Sequence, residues 1–320
     1  MKKALVVSGG GSKGAFSGGI IENLIKLKNK DWDIYVASST GSLIIPSTSI
    51  GDIDKLKQQY TSVDNKSIFK ISPFTQKGKV RILNAVWRVL TGKDSIGDGS
   101  RLRKRIEKIF TEENFNESIK RNKEIYVCVS NLTTAKAEFK LQKDCNYKDF
   151  CDWMYASCSV PVGFEVVKKD GYDYVDGGLI HTIPIQKAID AGAEEIDIII
   201  LKEKNPNYED GWEAKNVFNV FMRIIDVMNI EISRDDILVG SLSGEQKEIT
   251  MNFYYTPYKL TKNSIIFNKE DMLKWWELGY NFDKINKELL KTTNVDLKEN
   301  NLIHSIKIKK NLKTNKYNIQ

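Results

Sequence analysis

The beginning of the chain holds the feature that most constrains its fold, a short apolar strand that enters a glycine-rich turn and then a helix. Residues 4–7 are the apolar run, residues 9–14 (GGGSKG) are the turn, and the apolar residues that follow recur at helical spacing. The same unit returns at residues 34–37, where a serine-rich turn leads into another apolar segment. Strands that alternate with helices predict a mainly parallel sheet with helices on both faces, because each crossover helix buries its apolar stripe on that sheet.

The remaining chain supplies further predicted elements but no clear division into domains. Strands are expected at residues 125–129, 137–141, 172–175 and 196–201, and helices around residues 216–230 and 269–282. No linker rich in glycine, serine or proline separates these segments. We therefore expect one domain over residues 1–290, with residues 291–320 as a basic tail or an edge strand.

Composition and charge exclude several classes of protein. Of the residues, 41% are hydrophobic and 28% are charged, as in a globular chain, and no stretch approaches the ~20 apolar residues of a membrane-spanning helix. The apolar run after the first lysines is too short for a signal peptide, so a cytoplasmic location is the default expectation. The formal charge is +7, and residues 291–320 carry seven lysines against Asp296 and Glu299. Such a tail is usually solvated, although it can meet anionic lipid. Nothing resembles a nucleic-acid-binding module.

Metal chemistry has little to build on in this sequence. The four cysteines lack the CxxC spacing of a zinc site, and the only histidines are His181 and His304. We therefore expect reduced thiols and no metal site.

The second turn nearly fits the GxSxG pattern of a nucleophile elbow, with Ala37 in the first glycine position and Gly41 in the last. An elbow holds its serine, here Ser39, on a sharp turn between strand and helix, where small neighbours let the chain pass close to itself. By itself a serine-rich turn is more often an ordinary loop.

A histidine usually activates such a serine, but a buried carboxylate within hydrogen-bond reach can also accept its proton. Asp176 is the best candidate, because it ends a predicted strand and precedes Gly177 and Gly178, which let the backbone turn tightly. The simpler interpretation of Asp-Gly-Gly is a loop turn.

The first turn fits GxGxxG through Gly9, Gly11 and Gly14, and two interpretations stay open. One is a dinucleotide site, in which an acidic residue about 20 positions later binds a ribose. Asp33 has that separation, but it precedes the second strand instead of following it. In the other interpretation, the N–H groups of Gly10 and Gly11 form an oxyanion hole.

Three segments in this order resemble the patatin-like phospholipase family: residues 9–14, residues 39–41 (STG) and residues 176–178 (DGG). Residues 127–132, 156–161 and 179–184 are also similar to family segments, so the resemblance covers most of residues 4–205. It implies a three-layer α/β/α sandwich, no cofactor, and acyl esters of lipids, phospholipids among them, as substrates. It also implies a Ser39–Asp176 dyad with an oxyanion hole from Gly9, Gly10 and Gly11.

The sequence departs from the family pattern at Ala37 and at Pro46, where proline is expected to kink or shorten the helix after the elbow. Lys13 beside the glycine loop could meet a lipid phosphate or offset the charge of an oxyanion, or it could be an ordinary solvated lysine. Two other functions remain open: a nucleotide-binding protein, and an inactive member of the fold that binds lipid.

Overall fold

The computed structural model describes residues 1–75, 79–206, 212–214, 217–292 and 301–306. Within this part of the chain, the strands form one sheet. The strands are β1 (Lys3–Val7), β2 (Ile34–Ser38), β3 (Glu124–Asn131), β4 (Lys136–Leu141), β5 (Val167–Lys169), β6 (Tyr172–Asp176), β7 (Glu195–Glu203), β8 (Thr250–Thr256) and β9 (Ile303–Ile306).

The sheet has a parallel centre and antiparallel edges. Its order by hydrogen-bonded neighbours is β5-β6-β3-β2-β1-β7-β8-β9, and β4 also pairs with β3. The central strands β3, β2, β1, β7 and β8 are parallel, whereas β4, β5, β6 and β9 pair antiparallel with their neighbours. The sequence predicted a mainly parallel sheet, and this prediction is confirmed.

Helices connect the strands. They are α1 (Gly14–Lys28), α2 (Ile45–Ser49), α3 (Ile53–Thr61), α4 (Asn65–Ile68), α5 (Ile82–Leu90), α6 (Ser100–Ile109), α7 (Glu112–Lys120), α8 (Tyr147–Ser157), α9 (Ile185–Asp190), α10 (Val217–Gln246), α11 (Lys269–Tyr280) and α12 (Phe282–Thr292). Short 3₁₀ turns follow β1, β2, β4 and β6.

Two hydrophobic cores lie on opposite faces of the sheet, since successive side chains of a strand point to opposite faces. Leu5 and Val7 of β1 belong to the core that contains side chains of α1, α3, α6, α8 and α11. Ala4 and Val6 belong to the other core, which α9 and part of α10 cover. A strand buried on both faces reads as a continuous apolar run, which explains residues 4–7. The result is the three-layer α/β/α sandwich that the resemblance implied.

Several boundaries differ from the sequence predictions. β8 was not predicted, and α10 continues to Gln246, well beyond the predicted end at residue 230. The pattern over residues 269–282 belongs to α11 and to the start of α12. In the basic carboxyl-terminal segment, β9 pairs antiparallel with β8 at the edge of the sheet, and residues 293–300 and 307–320 lie outside the described residues. None of the helices in the described ranges is long and apolar enough to cross a bilayer.

Candidate active site

The sheet itself brings Ser39 and Asp176 together. β4 occupies one edge of β3, so β2 and β6 must share the other edge. There β2 ends with Ser38 opposite Cys128, and β6 ends with Asp176 opposite the next residue, Val129. Because β2 runs parallel to β3 and β6 runs antiparallel to it, the carboxyl ends of β2 and β6 meet head to head. The two candidate residues stand at this junction.

Ser39 occupies a strained turn directly after β2. Its φ angle is +52°, a left-handed conformation that non-glycine residues adopt rarely and that strains the backbone at this position. Its hydroxyl donates a hydrogen bond to Asp176 Oδ2 at 2.6 Å, and its backbone N–H donates to Ser157 Oγ at 3.0 Å. The close packing that an elbow needs is present, since a Cβ on Gly41 would lie 2.6 Å from the Val7 carbonyl oxygen. Ala37 is accommodated, fully buried in the core.

The turn after Ser39 also explains how Pro46 is tolerated. A 3₁₀ turn spans residues 39–43, and Pro46 lies in the first turn of the short helix α2. A proline there removes no helical hydrogen bond, because the first N–H groups of a helix have no intrahelical partner. The expected kink is therefore absent, although α2 does end early, at Ser49.

Asp176 is nearly buried, with 5% of its surface exposed. Its second oxygen, Oδ1, accepts a hydrogen bond from the Gly178 N–H at 2.7 Å. Burial raises the pKa of Asp176 to about 7, although the hydrogen bonds from Ser39 and Gly178 favour the ionised form. Gly177 allows the close approach to β3, because a Cβ there would lie 2.3 Å from the Cys128 carbonyl oxygen. A carboxylate with this pKa can both hold and release a proton near neutral pH.

The glycine loop lies beside Ser39, and the roles of its amides differ. The Gly9 N–H donates to the Thr182 carbonyl at 3.0 Å, so it is not free for an oxyanion. The structure therefore gives Gly9 a steric role beside Ser39, since a Cβ on Gly9 would lie 3.1 Å from the Ser39 Cβ. By contrast, the N–H groups of Gly10 and Gly11 have no acceptor among the described residues.

Gly11, Gly14 and Lys13 fix the loop to its surroundings. Gly11 has a φ angle of +57°, and a Cβ there would collide with the Ser264 carbonyl. Gly14 packs against Tyr60 and Thr40, whose hydroxyls are hydrogen-bonded to each other. The Lys13 ammonium donates to the Leu201 carbonyl at 2.6 Å, and burial lowers its pKa to about 8. Lys13 is therefore not an ordinary solvated lysine, because it ties the loop to β7.

Two further residues of the site were not predicted from the sequence. Ser157 accepts the Ser39 N–H and is hydrogen-bonded to Ser42 Oγ at 2.9 Å, so it braces both ends of the elbow. The Cys158 thiol contacts the Ser39 carbonyl oxygen at 3.0 Å, and burial raises the pKa of this thiol well above its ordinary value. Both residues lie in the 156–161 segment that resembles the family, but no local pattern assigned them a contact.

An apolar cavity opens beside Ser39. Its volume is about 50 Å³, it is partly open to solvent, and its walls come from the glycine loop, the elbow, α3, α4, α6, α11 and the loop after α8. Apolar wall residues include Leu43, Val63, Ile68, Leu102, Ile109, Val160, Phe164 and Met272. This lining is almost free of polar surface, which suits an apolar ligand group.

The structure disfavours a dinucleotide in the glycine loop. Asp33 lies at the amino end of β2, where its carboxylate accepts the Lys3 N–H at 2.9 Å. The glycine loop follows the carboxyl end of β1, and β1 and β2 are parallel neighbours, so Asp33 and the glycine loop lie at opposite ends of these strands. Within the described residues, no three His, Cys, Asp or Glu side chains form a group that could hold a metal ion.

Comparison with known proteins gives a family for this chain. The Escherichia coli (strain K12) protein named "Uncharacterized protein YjjU" is 22% identical over 214 residues, which cover 65% of this chain and about half, 54%, of that protein. Among solved structures, VipD from Legionella pneumophila aligns with a TM-score of 0.47 and 14% identity, over 96% of this chain and 68% of that one. The family model described as patatin-like phospholipase matches residues 5–189, more than half of the chain. The chain therefore belongs to the patatin-like phospholipase family.

Proposed function

We propose that this protein is a lipid acyl hydrolase that cleaves carboxylic esters in the manner of a phospholipase A, with Ser39 as nucleophile and Asp176 as its base. Family membership supports lipid hydrolysis in general. The observation that carries the finer proposal is the 2.6 Å hydrogen bond from Ser39 Oγ to the buried Asp176 carboxylate.

The proposed reaction has two steps. Asp176 accepts the Ser39 proton while Ser39 Oγ bonds to the ester carbonyl carbon, and the tetrahedral intermediate expels the alcohol, which takes that proton. A water molecule then attacks the acyl-enzyme, gives its proton to Asp176, and releases the fatty acid as Ser39 recovers its hydrogen. No histidine or cofactor is needed for these transfers. The pKa of Asp176 near 7 suits both directions of proton transfer.

Gly10 and Gly11 are the proposed oxyanion donors. Their N–H groups are free of other acceptors among the described residues, and the neighbouring Gly9 packs against Ser39. Backbone donors held in place by a rigid loop stabilise negative charge without reorganising during the reaction. The Ser12 N–H donates to the Ser264 carbonyl at 2.8 Å and the Lys13 ammonium donates to the Leu201 carbonyl, so the loop is preorganised.

The apolar cavity beside Ser39 suits the acyl chain of the substrate. Its polar walls are few, so it would favour a hydrocarbon chain over a peptide or sugar. We therefore infer a glycerophospholipid or another acyl-ester lipid as substrate, reached through peripheral contact with an anionic membrane.

Residues 1–290 would act as one catalytic domain, because α11 lies beyond the family match and still packs closely on α1. A Cβ on Gly18 of α1 would collide with Trp276 of α11.

A fluorophosphonate probe tests the function directly, because it reacts with activated serines only. We expect the wild-type protein to be labelled and to hydrolyse a phospholipid, and Ser39→Ala to lose both properties. Ser38→Ala is the matched control: its hydroxyl is one position away, buried, and has no hydrogen-bond partner among the described residues. Absence of labelling in the wild type would favour an inactive lipid-binding member of the fold. Heat of binding with NAD or ATP in calorimetry would favour a nucleotide-binding protein.

A further inference from the structure

Helix α5 exposes its apolar side chains and buries a charged one. The exposed fractions are 70% for Ile82, 87% for Leu83, 51% for Val86, 58% for Trp87, 64% for Val89 and 80% for Leu90. Leu83, Val86, Trp87 and Leu90 follow the i, i+3, i+4, i+7 spacing of a single helix face. This arrangement is the reverse of an ordinary surface helix, whose apolar stripe faces the core. Clustered apolar side chains at this level of exposure mark an interaction surface.

The inverted orientation is held by specific polar contacts. Arg88 is 3% exposed, and its guanidinium donates to the Ser95 carbonyl at 2.8 Å and to Glu165 Oε1 at 2.9 Å. Turning the apolar face inward would break these contacts of Arg88, whose partner Glu165 is itself 32% exposed. The contacts therefore hold α5 with its apolar face outward.

The charge around α5 identifies the kind of surface that fits it. Residues 65–93 contain seven lysines and arginines and no aspartate or glutamate. Lys79, Arg81 and Lys93, which flank the helix, are exposed. A short apolar face with a tryptophan and flanking basic residues is the pattern of a helix that lies in a membrane interface and is drawn to anionic lipids. An apolar partner protein alone would give no reason for this excess of basic residues, which the exposed Asp94 after Lys93 only partly offsets.

The α5 segment is also joined to the wall of the cavity beside Ser39. The Ile96 N–H donates to the Val162 carbonyl at 2.9 Å, and the Gly99 N–H donates to Glu165 at 3.3 Å. Residues 160–165 include Val160 and Phe164, which line that cavity. A surface bound by α5 would therefore lie next to the loop that forms the cavity wall.

We propose that α5 docks this protein on anionic lipid bilayers, with Leu83, Trp87 and Leu90 entering the boundary between head groups and acyl chains. Lys79, Arg81 and Lys93 contact the head groups. The proposal depends on the surface of α5 and not on the chemistry of Ser39, so each can fail without the other.

Vesicle sedimentation tests the docking, with vesicles of phosphatidylcholine alone or mixed with phosphatidylglycerol. We expect the wild type to bind the mixed vesicles, and Leu83→Ser/Leu90→Ser and Lys79→Glu/Lys93→Glu each to bind about tenfold more weakly. The matched control is Leu238→Ser/Leu242→Ser on α10, which changes leucines that are 57% and 58% exposed beside the exposed Asp235 and Glu245. This control should bind as the wild type does.

Three results would overturn the proposal: no binding of the wild type to the mixed vesicles, equal binding by the α5 variants, or equal loss in the α10 control. A change of oligomeric state in Leu83→Ser/Leu90→Ser, seen by size-exclusion chromatography without a change in vesicle binding, would instead assign the face to a second copy of the chain. Hydrolysis of a short-chain ester dissolved as monomers serves as the separate readout of the active site. It should be the same in the wild type and all three variants, whereas its absence in all of them would count against the proposed function alone.

Discussion

Replacing Asp176 by asparagine should abolish hydrolysis and, above neutral pH, make the protein more stable. Folding raises the pKa of this carboxyl from 3.8 to about 7, because burial penalises the charged form. The native state then binds more protons than the unfolded state between these values, so the free energy of unfolding falls as the pH rises through them. One pKa unit corresponds to about 1.4 kcal/mol, which gives about 4 kcal/mol in full and about 2.5 kcal/mol between pH 5 and pH 8.

Asparagine is a nearly isosteric replacement that removes only this ionisation. Its carbonyl oxygen can still accept the Gly178 N–H, and its amide can donate to Ser39 Oγ, so both contacts of the carboxylate have a counterpart. Urea unfolding at pH 5 and pH 8 would measure the difference in unfolding free energy between Asp176→Asn and the wild type. We expect the free energy of unfolding of the variant, relative to that of the wild type, to be about 2.5 kcal/mol higher at pH 8 than at pH 5. A shift below about 1 kcal/mol would refute the raised pKa.

A second buried aspartate provides the control for this experiment. Asp197 is 1% exposed, but it accepts hydrogen bonds from Trp32 Nε1 at 2.8 Å and Tyr254 at 3.2 Å, and it forms an ion pair with Lys30. Asp197→Asn would weaken these contacts and should destabilise the protein at pH 8, the opposite of Asp176→Asn.

The pH dependence of hydrolysis is an independent check on the raised pKa of Asp176. Hydrolysis by the wild type should fall about tenfold per pH unit below pH 7, whereas Asp176→Asn should be about 10²–10⁴-fold less active than the wild type above pH 7 and should lack this pH dependence.

Two further predictions concern the walls of the site. Ser157→Ala leaves the buried Ser39 N–H without its acceptor, so it should lower the free energy of unfolding by about 1–3 kcal/mol. It should also reduce kcat with little change in KM. An unchanged kcat would show that this hydrogen bond does not position the elbow. Ile109→Phe adds bulk to the cavity wall and should reduce kcat/KM for a laurate ester by about tenfold more than for a butyrate ester. Equal losses of kcat/KM on both esters would show that the acyl chain binds elsewhere.

The parts of the site that the sequence could predict are those that one turn forms by itself. The glycine loop and the serine turn each follow an apolar strand directly, and the glycines and small residues report backbone conformations that other residues do not adopt easily. Ser39, with its φ of +52°, and Gly11, with its φ of +57°, have this local character. Asp176 was a weaker prediction from its own residues, since Asp-Gly-Gly is common in loops, and the resemblance to the family singled it out.

Hydrogen-bond partners that come from distant parts of the chain could not be predicted in this way. The Gly9 N–H is used by Thr182, and the Lys13 ammonium by Leu201, because β7 and the turn after β6 pack against the loop. Ser157 became a partner of Ser39 through a contact that joins residues 118 positions apart. Such contacts depend on how whole elements pack, which a hydrophobic pattern does not encode at the level of single hydrogen bonds.

The sequence by itself determined the alternation of strands and helices, the parallel centre of the sheet and the position of a serine-rich turn after β2, because these follow from short-range periodicity and backbone sterics. The tertiary structure decided that β6 runs against β3 and meets β2 end to end, which is what places a buried carboxylate 2.6 Å from the Ser39 hydroxyl. It also decided which face of α5 is exposed. A helical pattern reports that apolar side chains share one face, whereas only packing, here the burial of Arg88 against Glu165, determines whether that face meets the core or the solvent.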